Sequence, residues 1–300
     1  MERSTFFEEQ RRNRRDSILL AVVVSLIIFG LVYAMALIIA PEAIMIVLPF
    51  SLLLIFIYTW SSYQYGDQVV LSSTGARPAE GTEFVYLNNV SEGLSLAAGM
   101  PPPKVYVMDS PEINAFATGR DPEHASIAVT NGALQKLNRQ ELEGVVAHEI
   151  SHIRNKDIQF LTLIAVLVGL AAILSHIILR WGWFSGRGRR GRDRGGGIEI
   201  LILVVGIILA IFAPIVTRLV QFAVSRRREF LADASGAELT RYPEGLASAL
   251  EKIMKLNVGK MDVSEAVSHL FISDPNKSGL DSLYATHPPI EERIKRLREM

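Results

Sequence analysis

The sequence predicts a mainly α-helical membrane protein whose polar portion is an α+β domain with a small β-sheet. Three observations carry this. Hydrophobic residues make up 49% of the 300 positions, and the mean hydropathy of +0.27 is high for a soluble chain of this size. Long uncharged stretches recur in two pairs. Between and after those pairs run short alternating segments and amphipathic helical patterns, each bounded by proline, glycine or asparagine.

The N-terminal segment, residues 1–16, carries Arg11, Arg12, Arg14 and Arg15. Residues 18–40 contain no charge, and after Pro41 and Glu42 a second uncharged run covers 43–60. Each is long enough to cross a hydrocarbon core of about 30 Å as a helix. Residues 17–60 are therefore expected to form a transmembrane hairpin. The first run is too long for the apolar core of a cleavable signal and reads as an anchor. Arginines ahead of it place the N-terminus in the cytoplasm, and two crossings return the chain to that side for residues 61–157.

A third apolar helix is expected over 158–179 and a fourth over 200–222, uncharged as far as Thr217. The Gly/Arg-rich loop between them, 180–199, would be carried across the membrane with six arginines. That opposes the positive-inside tendency: either the N-terminal arginines dominate, or the second pair is partly sheltered by the folded domain. His176 lies near the end of the third run, within reach of the interface.

Helical spacing covers residues 83–98. "PPP" then ends any helix, and residues 104–108 alternate as a strand. "NAFATG" (114–119) and "ASIAVTNG" (125–132) read as two more strands joined at Arg120, Asp121 and Pro122. A helix follows with Asn138 as N-cap and Glu141 three residues on. Residues 61–157 thus form the first part of the domain. Residues 223–300 form the second, with helices at "SRRREFLADASGAEL" and 243–256 and a last one after Pro288 and Pro289.

The chemistry centres on "VVAHEISHIRNKD". Residues four apart share one helical face, so His148 and His152 can reach one zinc ion. Glu149 stands beside that ion as a general base. The extended motif with a third histidine is absent, since Asn155 and Ile158 occupy its positions. A carboxylate from another helix is the common alternative, and "EFLAD" supplies Glu229, with Asp233 on the same face. Asp233 is placed to accept a hydrogen bond from the far ring nitrogen of a zinc-binding histidine. Both ligand helices adjoin apolar runs, so the centre is expected close above the bilayer.

Together, "NAFATG", "HEISHIRNKD", "RRREFLADASGAEL", "THPPIEERI" and the paired apolar segments resemble the HtpX-type membrane zinc metalloproteases, relatives of the CAAX prenyl-protein proteases and the OMA-type proteases. The resemblance implies a zincin-like (gluzincin) metalloprotease domain with one Zn2+ per chain on His148, His152 and Glu229, and Glu149 as base. It implies cleavage of misfolded or unassembled membrane proteins, as part of quality control and stress response. It also implies a multi-pass protein of a prokaryotic inner membrane with the active site facing the cytoplasm. "NAFATG" would then be an edge strand, with Asn114, Ala115, Phe116 and Ala117 offering backbone groups to an extended peptide. His287 could stabilise the transition state, and Arg228 could meet a carboxylate or solvent. His124, His176 and His269 are read as structural.

The partners implied are unfolded or membrane-protein polypeptides and the lipid bilayer. The net charge of +0 argues against nucleic acid, and zero cysteines exclude thiolate metal sites and disulfides. The competing readings are a dedicated processing peptidase of membrane-linked peptides and a non-catalytic zinc-binding scaffold. The glutamate at 149 argues against the scaffold, because a structural site has no use for a general base.

Overall fold

The computed structural model describes residues 44–166, 226–259, 261, 263–276 and 287–300, with single positions between residues 15 and 42. Most of the first apolar run, the third beyond Val166, the Gly/Arg-rich loop, the fourth run and His176 lie outside the described residues.

Helix α1, Ile44–Ser73, is 30 residues long. Among the described residues it is the one helix long and apolar enough to cross a membrane by length and composition. Met45, Ile46, Phe50, Phe56 and Trp60 stand exposed along it, the pattern of a helix whose solvent is lipid. Ser25 in the first run hydrogen-bonds Thr59 of this helix at 3.2 Å. The helix does not end with the uncharged run at Trp60. It continues through a polar stretch until Gly75, at φ 66°, turns the chain away. This lower part buries Val70 and Leu71 against the domain, so α1 serves as both anchor and domain element.

The sheet has the order β1-β2-β4-β3. Its strands are β1 (Arg77–Pro78), β2 (Lys104–Met108), β3 (Ala115–Gly119) and β4 (Ala125–Thr130). β2 and β4 run parallel, while β1 and β3 pair antiparallel to their neighbours. β4 stops two residues before the expected end because the Thr130 side chain caps the next helix by accepting from the Ala133 N–H. A 3-10 turn at Thr82–Phe84 leads into α2 (Val85–Ala97), and α3 is Asn131–Lys136.

Helix α4, Arg139–Arg154, is the centre of the domain. Its capping box is closed both ways: the Glu141 N–H donates to Asn138 at 3.0 Å, and the Asn138 N–H donates to Glu141 at 2.7 Å. Val145, Val146, Ile150 and Ile153 bury one flank against Ile113, Ile127 and Val129 of the sheet layer. Leu246 and Leu250 of α7 (Pro243–Leu256) close the same core. Each such side chain contributes about 1.5–3 kcal/mol by leaving water. Two glycines let helix backbones approach α4. A Cβ on Gly144 would lie 2.6 Å from the Leu246 nitrogen, and one on Gly236 of α6 (Arg226–Thr240) would lie 3.1 Å from the His148 nitrogen.

After α4 the chain turns sharply through Lys156, at φ 60°, and enters α5, described over Asp157–Val166. Ile158 is buried in the first core, and Phe160, Leu161, Leu163 and Ile164 are buried in a second core shared with Val70, Leu71, Phe116 and Phe271. The start of the third apolar run is thus covered by protein. The Thr162 hydroxyl meets that of Thr118 at 2.8 Å and accepts the Gly119 N–H at 3.1 Å, fastening α5 to β3. Downstream, α8 is Glu265–Ser268 and α9 is Ile290–Arg298.

Candidate metal centre

α4 presents His148 and His152 to α6, whose first turn carries Glu229. The two imidazole Nε2 atoms lie 3.2 Å apart. The Glu229 oxygens lie 3.7 Å from His148 Nε2 and 3.6 Å from His152 Nε2. Among the described residues this trio and an exposed group, Asp121, Glu123 and His124, are the clusters able to hold a metal. In the exposed group Asp121 instead caps the 3-10 turn and meets the His124 ring at 2.7 Å.

The buried trio fits zinc. Ligand bonds of about 2.0–2.1 Å in a tetrahedron place donor atoms about 3.3 Å apart, close to the spacings observed. The donors are two nitrogens and a carboxylate, and all three residues are buried.

Each histidine is held from its far side. His148 Nδ1 lies 3.0 Å from Asp233, and His152 Nδ1 lies 3.0 Å from Asp157. Arg293 of α9 is completely buried and grips Asp233 with two prongs, donating from Nε at 2.9 Å and Nη2 at 2.7 Å. A third prong donates to the Ile272 carbonyl at 3.0 Å, and Nη1 is 3.5 Å from Glu229. His287 approaches the same Glu229 oxygen at 3.4 Å. Neither Asp157 nor Arg293 was singled out in the sequence, although both lie inside the motifs quoted above. "IEERIKRL" looks like a solvated charged helix, and nothing in its spacing marks one arginine as buried.

The ionisation states follow from burial and these partners. Burial pushes the Glu149 carboxyl up to about 7, and neighbouring Glu229 adds to the rise. Neither Glu149 oxygen closes a hydrogen bond, although the Ala117 backbone lies near enough to favour the charge slightly. Burial lowers His148 to about 4 against the pull of Asp233. His152 goes the other way, to about 9: burial opposes its charge, but Asp157 and Glu229 overcome that. Glu229 and Asp233 would be raised by burial, yet His287 and Arg293 respectively lead the groups that hold them low.

The remaining expected residues sit as follows. β3 is an edge strand of the sheet, and all five of its residues are buried. Part of its outer edge is taken. Ile272 donates to the Ala115 carbonyl at 2.9 Å, and the Phe116 and Phe271 rings pack 4.9 Å apart, tilted by 60°. Asn114 donates to the Ser273 carbonyl at 3.0 Å, holding this covering segment in place. Arg228 lies 3.9 Å from Asp157 and 4.7 Å from the centre of the Phe160 ring. His269 is buried with Nε2 at 3.2 Å from the Leu161 carbonyl.

The model of peptidase family M48 matches residues 82–300. A protease HtpX homolog of Caldanaerobacter subterraneus is 47% identical over 300 residues, covering 100% of this chain and 99% of the relative. One from Streptococcus pneumoniae is 41% identical, covering 98% of this chain and 99% of its own. The crystal structure of S. mikatae Ste24p matches at a TM-score of 0.51 and 19% identity, over 97% of this chain and 67% of that one. The last is a likeness of fold.

Proposed function

The chain belongs to peptidase family M48, and from that membership we propose that it is an integral-membrane, zinc-dependent endopeptidase for misfolded or unassembled membrane proteins. The observation that carries the reading is a buried, unpartnered carboxylate beside three converging metal-ligand atoms. A scaffold site would gain nothing from the cost of burying Glu149.

His148, His152 and Glu229 would hold the ion. Bound zinc supplies Lewis acidity toward the scissile carbonyl and toward water. Glu149, with its pKa near neutrality, takes a proton from the attacking water and delivers it to the leaving amine. His287, 3.4 Å from Glu229, would help to stabilise the charge that develops on the carbonyl oxygen. The outward backbone of β3 around Ala117 would align an extended peptide with little regard for its side chains, which suits a quality-control substrate range. The exposed apolar flank of α1 and the N-terminal arginines support a multi-pass protein of a prokaryotic inner membrane, with its centre facing the cytoplasm.

The test is cleavage of casein in detergent by the zinc-loaded protein and by Glu149→Gln, each assayed for metal. About one zinc in both and cleavage only by the unaltered protein is the expected result. Equal cleavage by both removes Glu149 as the base.

A further inference from the structure

Asp157 is 1% exposed and lies at the first position of an otherwise apolar helix. A buried carboxylate is costly unless its partners compensate. The geometry shows where it is used. Its Oδ2 sits 3.0 Å from His152 Nδ1, on the opposite side of the ring from the Nε2 that faces His148 and Glu229. The distance equals that between His148 Nδ1 and Asp233, so the two histidines are supported alike. The second support comes from a residue five positions along the same stretch of chain. Reaching it takes an unusual backbone. The chain leaves α4 through Lys156 at φ 60°, a conformation that costs a side-chain-bearing residue about 1–2 kcal/mol. Such an outlier persists where surrounding contacts determine it, and it returns Asp157 beside the helix just ended.

We propose that Asp157 is a positioning residue of the metal centre. By accepting the Nδ1–H of His152 it fixes that ring's tautomer and rotation, so that Nε2 presents its lone pair to the ion. Arg228 stands 3.9 Å from the other carboxylate oxygen and over Phe160 of α5, steadying Asp157 from the helix that supplies Glu229. The proposal rests on the zinc reading of the site.

The experiment compares the metal-stripped, full-length protein in detergent with Asp157→Ala, Asp157→Asn, His152→Ala and Lys156→Gly. Zinc dissociation constants come from competition with a chromophoric chelator, and fold integrity from thermal melting without metal. Asp157→Ala is expected to weaken zinc binding about 10–100-fold while the metal-free protein still melts cooperatively. Asp157→Asn keeps an acceptor but not the charge, and should fall between. Lys156→Gly, which relaxes the turn and removes no carboxylate, should bind zinc as the unaltered protein does. Zinc affinity within twofold of the unaltered protein in Asp157→Ala, with His152→Ala unable to bind, overturns the inference and leaves the zinc reading intact. Equal binding by the unaltered protein and His152→Ala overturns both. If Asp157→Ala does not fold, Asp157→Asn decides. A loss of threefold or more together with a changed Co2+ absorption band supports the role, and unchanged affinity and band refute it.

Discussion

Replacing Glu149 by glutamine should abolish cleavage and yet make the metal-free protein more stable above neutral pH. The carboxyl has an ordinary value of 4.5 and is pushed up to about 7 by burial. The fold therefore favours its neutral form. The stability this group contributes is complete below the unfolded value and is lost as pH rises from about 4.5 through about 7. Each pKa unit corresponds to about 1.4 kcal/mol, so the ionised carboxylate costs the fold roughly 3 kcal/mol by pH 8. Glutamine has nearly the same shape and no charge to bury. Its advantage should be small at pH 5 and approach roughly 3 kcal/mol at pH 8. In melting temperature that is about 6–12 °C, at 2–4 °C per kcal/mol for a larger domain. The assay is thermal unfolding of both metal-stripped proteins in detergent across that pH range. Saturating zinc should shrink the difference, because a divalent cation beside the carboxylate favours its charged form. A difference that does not change with pH, or a glutamine variant that is the less stable at pH 8, would refute the reasoning.

Zinc binding at pH 7.5 should release about one proton. His152 is held at about 9 in the metal-free site and must be neutral to be a ligand; calorimetry in buffers of different ionisation enthalpy measures the release. Arg293→Met should destabilise the metal-free protein by about 3–5 kcal/mol, because Asp233 is left buried without its charge partner. Arg293→Lys should rescue little of this, since an ammonium cannot supply the two-pronged grip; chemical unfolding checks both. Asn114→Ala should cost about 2 kcal/mol by leaving the Ser273 carbonyl without its donor. It should also speed limited proteolysis within residues 271–276.

Much of the centre was legible because its logic is local. HExxH spacing on a capped helix names His148, Glu149 and His152, and a carboxylate pair on one face of a later helix names Glu229 and Asp233. The structure brings these side chains together, with His287 beside Glu229. What escaped depends on tertiary placement. Arg293 sits in a helix that carries charges at most positions, and only its packing beneath α6 distinguishes it from Arg296 or Arg298. Asp157 looks like the polar end of a helix because the turn at Lys156 cannot be read from its side chain. The continuation of α1 past Trp60 was hidden for a related reason. Hydropathy reports where lipid solvation ends, whereas the backbone carries on helically until a glycine stops it. Covering of β3 by residues 271–273 is a contact between distant segments that no local pattern encodes.

The close approach of Gly236 to the backbone of α4 has a consequence for which ion the site prefers. The missing methyl group sets the gap between two helices, and those helices carry opposite sides of the ligand set. That gap would work as a calliper on the radius of a bound ion. Gly236→Ala would push the jaws apart by a few tenths of an ångström, enough to relax bonds near 2.0–2.1 Å toward lengths suited to a larger cation. The preference for zinc over bigger divalent ions should narrow while the helices remain folded. The selectivity of the coordination sphere would then be written in a residue that touches no metal and has no side chain.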